Sequence, residues 1–251
     1  MARIKAITFD LWDTLLVDDS DEPERQRLGL PPKRVARRQA LHQALCAQQD
    51  ISLERVETAC DAVEAAFDKV WKEMHVTWTV KERLELILRA LRRALPEREV
   101  EELALLYQRM ELQVRPQFHP QVRPVVEELS RRYRLGIISD TVFTPGWALR
   151  ELLADAGLKD YFQVLVFSDE LGMAKPAPEV FHRAAELLGA TAAEMVHVGD
   201  RELNDIQGPK SLGWRTVLIT AIKDRGSSYT QADAVCRNLA DLPAIIEQLE
   251  G

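Results

Sequence analysis

Three cysteines in 251 residues, Cys46, Cys60 and Cys236, are too few and too unevenly spaced for a disulfide framework, a metal knuckle or a redox pair. They read as small buried thiols of a reducing compartment. Long apolar runs are missing too. No stretch approaches the roughly 18 consecutive apolar residues of a membrane span. The N-terminus lacks the basic region and apolar run of a signal peptide. Positive charge is in deficit: 33 Lys and Arg face 40 Asp and Glu, a net charge of −7. That balance excludes a general nucleic-acid binder. The basic cluster Lys33-Arg34-Val35-Ala36-Arg37-Arg38 has apolar residues interleaved and reads as the solvated face of a helix. These absences describe a soluble cytoplasmic protein with neither a nucleic-acid nor a membrane partner. With 46% hydrophobic residues, the chain can bury an ordinary core. Its length fits one large domain, or a core with an inserted subdomain.

What is present falls into two rhythms. Ile4-Lys5-Ala6-Ile7-Thr8-Phe9-Asp10 is an apolar, strand-like run ending in a carboxylate. The clustered acids and prolines from Asp18 to Pro32 mark a loop or linker. From Lys33 to Val114 apolar residues recur at three- and four-residue steps, as in Leu53, Val56, Val63, Phe67, Val70 and Trp71. Breaks near Asp50, Val76–Thr79 and Pro96 divide the block into four helices, with Ser52 as the N-cap of the second. Phe67 and Trp71 read as bundle core. Pro116, Pro120 and Pro124 form a stiff connector. Beyond them helices alternate with apolar strands at Leu135–Ile138, Val164–Phe167, Met195–Val198 and Thr216–Ile219. Continuous apolar strands separated by helices imply a parallel sheet covered on both faces. The fold class is therefore α/β: a Rossmann-like three-layer core, residues 1–16 and 117–251, with an all-helical cap, residues 17–116, inserted after the first strand.

In such a sheet, ligands bind beyond the carboxyl ends of the strands. Four strands end there in polar groups: Asp10, Ser139 with Asp140, Ser168 with Asp169, and Asp200. Lys175 and Asp205 come shortly after two of them. Each has a plain alternative as a turn or cap residue; their convergence on one edge points to chemistry. His197, inside an apolar strand, reads as a satisfied buried histidine. His75 and His119 lie near the cleft without a role. Trp147 and Trp214 read as packing helices onto the sheet, and Lys210 as a surface charge.

The order of these residues resembles the haloacid dehalogenase superfamily of hydrolases. The matching motifs are Phe9-Asp10-Leu11-Trp12-Asp13-Thr14-Leu15, Ile137-Ile138-Ser139, Gly172-Met173-Ala174-Lys175-Pro176-Ala177-Pro178, and Val198-Gly199-Asp200 through Ile206. The resemblance spans essentially the whole chain, and the helical insertion sits where the family carries a C1-type cap. It implies that Asp10 is a nucleophile forming an aspartyl intermediate. It implies Mg²⁺ held by Asp10, Asp200 and the backbone carbonyl of Trp12, with Asp205 as a further acid at or behind the metal. It also implies Ser139 and Asp140 on the substrate side, and Lys175 neutralising charge on the nucleophile and the transition state.

One position departs from the family's phosphatases. They carry a second aspartate two residues after the nucleophile, which protonates the leaving group; here it is Trp12. Asp13 is one residue further and should point elsewhere. Loss of that acid weighs most on esters with poor leaving groups and least on acyl phosphates and phosphoanhydrides. An aromatic residue there also resembles the family's dehalogenases. Against that reading stand the metal-binding Gly199-Asp200 pattern and an acidic segment after Leu15 with no obvious arginine for a halide. The expectation is a Mg²⁺-dependent phosphatase of a small phosphorylated metabolite. A 2-haloacid dehalogenase and a weakly active phospho-ligand-binding or partner-binding protein are the alternatives.

Overall fold

The computed structural model describes residues 3–250. Six parallel strands form one sheet: β1 (Ala6–Phe9), β2 (Arg134–Ser139), β3 (Val164–Phe167), β4 (Met195–Gly199), β5 (Arg215–Ile219) and β6 (Ala234–Cys236). Their spatial order is β3-β2-β1-β4-β5-β6. Central β1 pairs Ile7 with Leu135 on one side and with Val196 on the other. All four of its residues are buried, as a strand covered on both faces requires. Alternation divides the side chains between the faces. Ile7 and Phe9 join the helices Val122–Ser130, Gly146–Asp155 and Leu242–Gln248 on one side. Ala6 packs on the other with Val180, Phe181 and Ala184 of Pro178–Leu188. Each fully buried Leu, Ile or Phe contributes about 1.5–3 kcal/mol.

The cap has its own apolar core, built from Leu41, Leu45, Val56, Leu84 and Tyr107 among others. Its four main helices are Lys33–Cys46, Leu53–Met74, Val80–Ala90 and Glu97–Gln108. Ser52 caps the second, its hydroxyl accepting from the Arg55 amide at 3.4 Å. Cap and core are stitched together at several places. Val17 bonds the Gln117 carbonyl, and the amide of Thr77 and the carbonyl of His75 bond Gly172 and Ala174 just ahead of Lys175.

Four expectations need correction. The acidic segment after Leu15 is not all loop: Glu22–Arg27 is a helix, with Pro23 in its first turn where a missing amide is harmless. β6 is a strand that the apolar pattern did not mark. The basic cluster is not a solvated face, since Lys33 and Arg38 are buried and Arg37 half-buried. Trp147 is exposed at 38%, with Arg109 over its ring, and does not pack the sheet. Trp214 does pack it, edge-on to Phe181. Lys210 pairs with Asp233 just ahead of β6.

Candidate active site

The strand ends converge on one cavity of about 260 Å³, walled by the core's Asp10, Asp140, Lys175, Arg201 and Asn204 and by the cap's Lys33 and Arg37. Trp12, Trp71 and Phe143 supply its aromatic surface. Trp71 is therefore a cavity residue as well as a neighbour of Phe67.

Asp10 sits one residue past β1, and its amide continues the ladder to Val198. The carboxylate is buried. Its Oδ1 accepts from Lys175 Nζ at 2.6 Å and its Oδ2 from the Thr14 hydroxyl at 3.3 Å. Lys175 Nζ donates equally to Asp205 Oδ1 at 2.7 Å. Burial works against the ammonium, but Asp10, Asp205 and Asp140 outweigh it and raise the lysine's pKa. Burial raises the pKa of Asp10, with Lys175 opposing. For Asp205 burial pushes the same way, and Lys175 and His197 reverse it, so this acid stays ionised.

His197 explains how Asp205 is held. It is fully buried, which favours the neutral ring. A carboxylate only accepts, so Nε2–H donates to Asp205 Oδ1 at 3.2 Å, leaving Nδ1 to accept from Thr8 at 2.8 Å. The buried histidine is satisfied, as expected, and it is also the post behind the acid that holds Lys175. Gly199 is needed for the same packing: a Cβ there would lie 2.4 Å from Asp205 Cγ.

Asp10, Asp200 and Asp205 each offer an oxygen within 4.8 Å of the others. Asp200 Oδ2 accepts from Arg225 Nε, while Oδ1 is buried without a hydrogen-bond partner. A buried carboxylate oxygen left bare is unfavourable unless something cationic takes it. Burial, then Asp10 and Asp205, push the Asp200 carboxyl up to about 7. The hard oxygen donor set fits a divalent cation. Arg225 also donates to Asp13 Oδ2 at 2.6 Å, and Asp13 Oδ1 accepts from the Asp18 amide at 3.1 Å. Asp13 thus braces the loop after β1, at a positive φ of 53°.

The remaining expected residues divide. Asp140 lines the cavity, its oxygens accepting from the Lys175 amide at 2.8 Å and Asn204 Nδ2 at 3.1 Å. Ser139 is buried, does not line the cavity, and donates to the Asp140 carbonyl at 3.3 Å. Ser168 and Asp169 are not part of the site. They bond Thr141 and the Gly146 amide and so fix the loop carrying Phe143. Trp12 lines the cavity, and no carboxylate occupies its place. Sequence reasoning missed Arg37, Arg201 and Phe143 as cavity residues, and Arg225 as the partner of Asp200.

Known proteins share this architecture. The profile of the haloacid dehalogenase-like hydrolases matches residues 4–213. The glyceraldehyde 3-phosphate phosphatase of Methanopyrus kandleri is 35% identical over 102 residues, 40% of this chain and 42% of that protein. The chain thus spans less than half of that relative's length. The solved HAD phosphatase of Thermococcus onnurineus is 28% identical, with a TM-score of 0.64 over 97% of this chain and 98% of that one. A 2-haloacid dehalogenase of Pseudomonas syringae shares the fold at 24% identity, with a TM-score of 0.65 over 98% of this chain and 99% of that one.

Proposed function

The chain belongs to the haloacid dehalogenase-like hydrolases, and from that membership we propose that it is a Mg²⁺-dependent phosphatase of a small phosphorylated metabolite. The observation that carries this reading is the bare Asp200 Oδ1 beside Asp10 and Asp205. Asp10, Asp200 and the Trp12 carbonyl would hold the ion, which supplies charge neutralisation at the transferring phosphoryl group. Like names among relatives, such as the glyceraldehyde 3-phosphate phosphatase and the HAD phosphatase, support the same reading.

Each of the chain's own residues then has a part. The Asp10 carboxylate attacks phosphorus, the bond to the leaving oxygen breaks, and an aspartyl phosphate forms. Lys175 is assigned to the phosphoryl oxygens and balances charge on Asp10 throughout, while Ser139 holds the Asp140 carbonyl behind the cavity wall. Asp205 and His197 keep the ammonium in place. Asp140 orients Lys175 through its amide and Asn204 through its side chain. Trp12 has no proton to give, so the leaving group takes its proton from water. Water then hydrolyses the acyl phosphate, releasing inorganic phosphate and restoring Asp10. Acyl phosphates and phosphoanhydrides are accordingly the favoured substrates. The free thiols Cys46, Cys60 and Cys236 fit a cytoplasmic setting, and no helix among the described residues is long and apolar enough to cross a membrane.

The test is phosphate release from acetyl phosphate, p-nitrophenyl phosphate and sugar phosphates, with Mg²⁺, with chelator and with Asp10→Asn. Turnover requiring both Mg²⁺ and Asp10 supports the proposal. A dehalogenase, the second reading, is favoured by the aromatic Trp12 alone. Chelator-insensitive halide release from 2-chloropropionate with no phosphate release would establish it instead. Ligand binding without either product would leave a binding protein.

A further inference from the structure

Charge accounting around the cavity singles out one group. Four cationic side chains line it: Lys33, Arg37, Lys175 and Arg201. Lys175 is matched by Asp10 and Asp205. Lys33 is matched by Asp21 at 2.7 Å, Glu111 at 3.1 Å and Asp19 at 3.2 Å. Among the described residues the Arg201 guanidinium makes no hydrogen bond or ion pair either, but it lies over the Trp71 ring at 5.8 Å and among the site's carboxylates, which raise its pKa against its burial. For Arg37 burial wins instead. Among the described residues its guanidinium makes no hydrogen bond and no ion pair, and it packs over the Phe143 ring at 3.6 Å from the centroid. Burial lowers its pKa, and the nearest carboxylates, beginning with Glu111, offset this only at a distance.

The surroundings sharpen the imbalance. Arg83 lies over the same ring at 4.2 Å. Its side-chain Nε is buried without a partner. Two guanidinium groups therefore share one aromatic ring, and neither makes an ion pair, Arg83 bonding only the Val142 carbonyl. A guanidinium stacked by its face on a ring keeps its N–H edge free, in the fork geometry that matches a carboxylate or phosphate. That edge belongs to a side chain lining the same small cavity as Asp10.

We propose that Arg37 receives a second anionic group of the substrate, so that the enzyme selects small phosphorylated compounds with a carboxylate or second phosphate remote from the reacting phosphoryl group. This rests on the phosphatase reading for which end of the molecule meets Asp10. The ligand supplies the anion that the fold withholds from Arg37, and Phe143, carried on the core's loop, holds the guanidinium flat to receive it. Arg37 is then a specificity residue: the uncompensated cap cation prefers a doubly anionic ligand over a singly anionic one of equal length.

The test is calorimetric binding to the Mg²⁺-loaded protein of 3-phosphonopropionate, propane-1,3-diphosphonate and propylphosphonate, which lack the P–O–C bond that a phosphatase breaks. The wild-type protein should bind at least one of the doubly anionic ligands about 10-fold or more tightly than propylphosphonate. The preferred member of the pair identifies carboxylate or phosphate as the second group. Arg37→Met should bring that ratio close to one, and Arg37→Lys should restore part of it. The ratio compares two ligands on one folded protein, so a general loss of affinity does not imitate the result. A wild-type ratio below about threefold, or a ratio that survives in Arg37→Met, overturns the proposal. Absence of any turnover in the phosphate-release panel would instead count against the phosphatase reading, leaving the binding ratio to stand or fall by itself.

Discussion

Two buried lysines face the same cavity, one from each part of the molecule, and they are built alike. Lys175 in the core is 2% exposed and bonds Asp10 and Asp205. Lys33 in the cap is 4% exposed and bonds Asp21 and Glu111. In both, burial disfavours the charge and neighbouring carboxylates outweigh it, raising the pKa. What separates them is the company of the carboxylates. Asp10 stands at the end of a central strand, next to the bare oxygen of Asp200. Asp21 and Glu111 belong to the clamp that joins the loop after β1 to the cap, with Thr144 also donating to Glu111. A buried ion pair does not mark a catalytic centre; a pair whose acid also faces a reacting atom does.

Four changes test that distinction. The largest effect is expected from Asp10→Asn, which should reduce phosphate release by at least ~10⁴-fold in single-turnover assays while leaving the circular dichroism spectrum intact. Next is Lys33→Met. It leaves Asp21 and Glu111 buried without their cation and should destabilise the fold by about 3–5 kcal/mol in urea denaturation. A small loss there would mean that the clamp is as dispensable as a surface pair. Trp12→Asp restores a proton donor at the cavity wall. It should raise hydrolysis of alkyl phosphates about 10²-fold relative to acetyl phosphate, and an unchanged leaving-group ranking would deny Trp12 its assigned consequence.

The smallest effect concerns acidity. Burial pushes Asp140 up to about 6 from an ordinary 3.8. Between those values the folded protein holds more protons than the unfolded chain, so this group makes stability fall as pH rises from about 4 to about 6. The loss is on the order of 2–3 kcal/mol. Asp140→Asn should flatten that part of the melting-temperature profile, measured in chelator; an unaltered slope would assign it to other groups.

The two regions also differ in how far the sequence revealed them. The core's strands β1 to β5 were readable because each is a continuous apolar run between helices, and the polar residues that end them are at fixed places. β6 was not readable: Ala234, Val235 and Cys236 are too short a run to stand out, and β5 leads into a loop rather than a helix. In the cap the helices were plain from their periodicity, but their functional face was not. Lys33, Arg37 and Arg38 occupy one basic run, and only packing shows that Arg38 serves Asp61 and Glu64, Lys33 the clamp, and Arg37 no carboxylate. Phe143 was hidden for a similar reason, as its loop has no pattern of its own and is fixed by Ser168 and Asp169 from the neighbouring strand end. The Asp13–Arg225–Asp200 link joins residues far apart in the chain, and no local spacing could announce it.

The position of β1 has a consequence for how the protein is made. This strand is made before the other five, yet it is central in the sheet, and its partner β4 emerges only after the whole cap and two further strands. At ordinary elongation rates of ~5–20 residues per second that interval is roughly 10–40 s. Throughout it one edge of a mostly apolar strand stays open, and for most of it the carboxylate that ends the strand lacks its ammonium partner, Lys175. The nascent chain is therefore most vulnerable to aggregation in this window, and the cap, which can bury its own core meanwhile, is the part positioned to shield it.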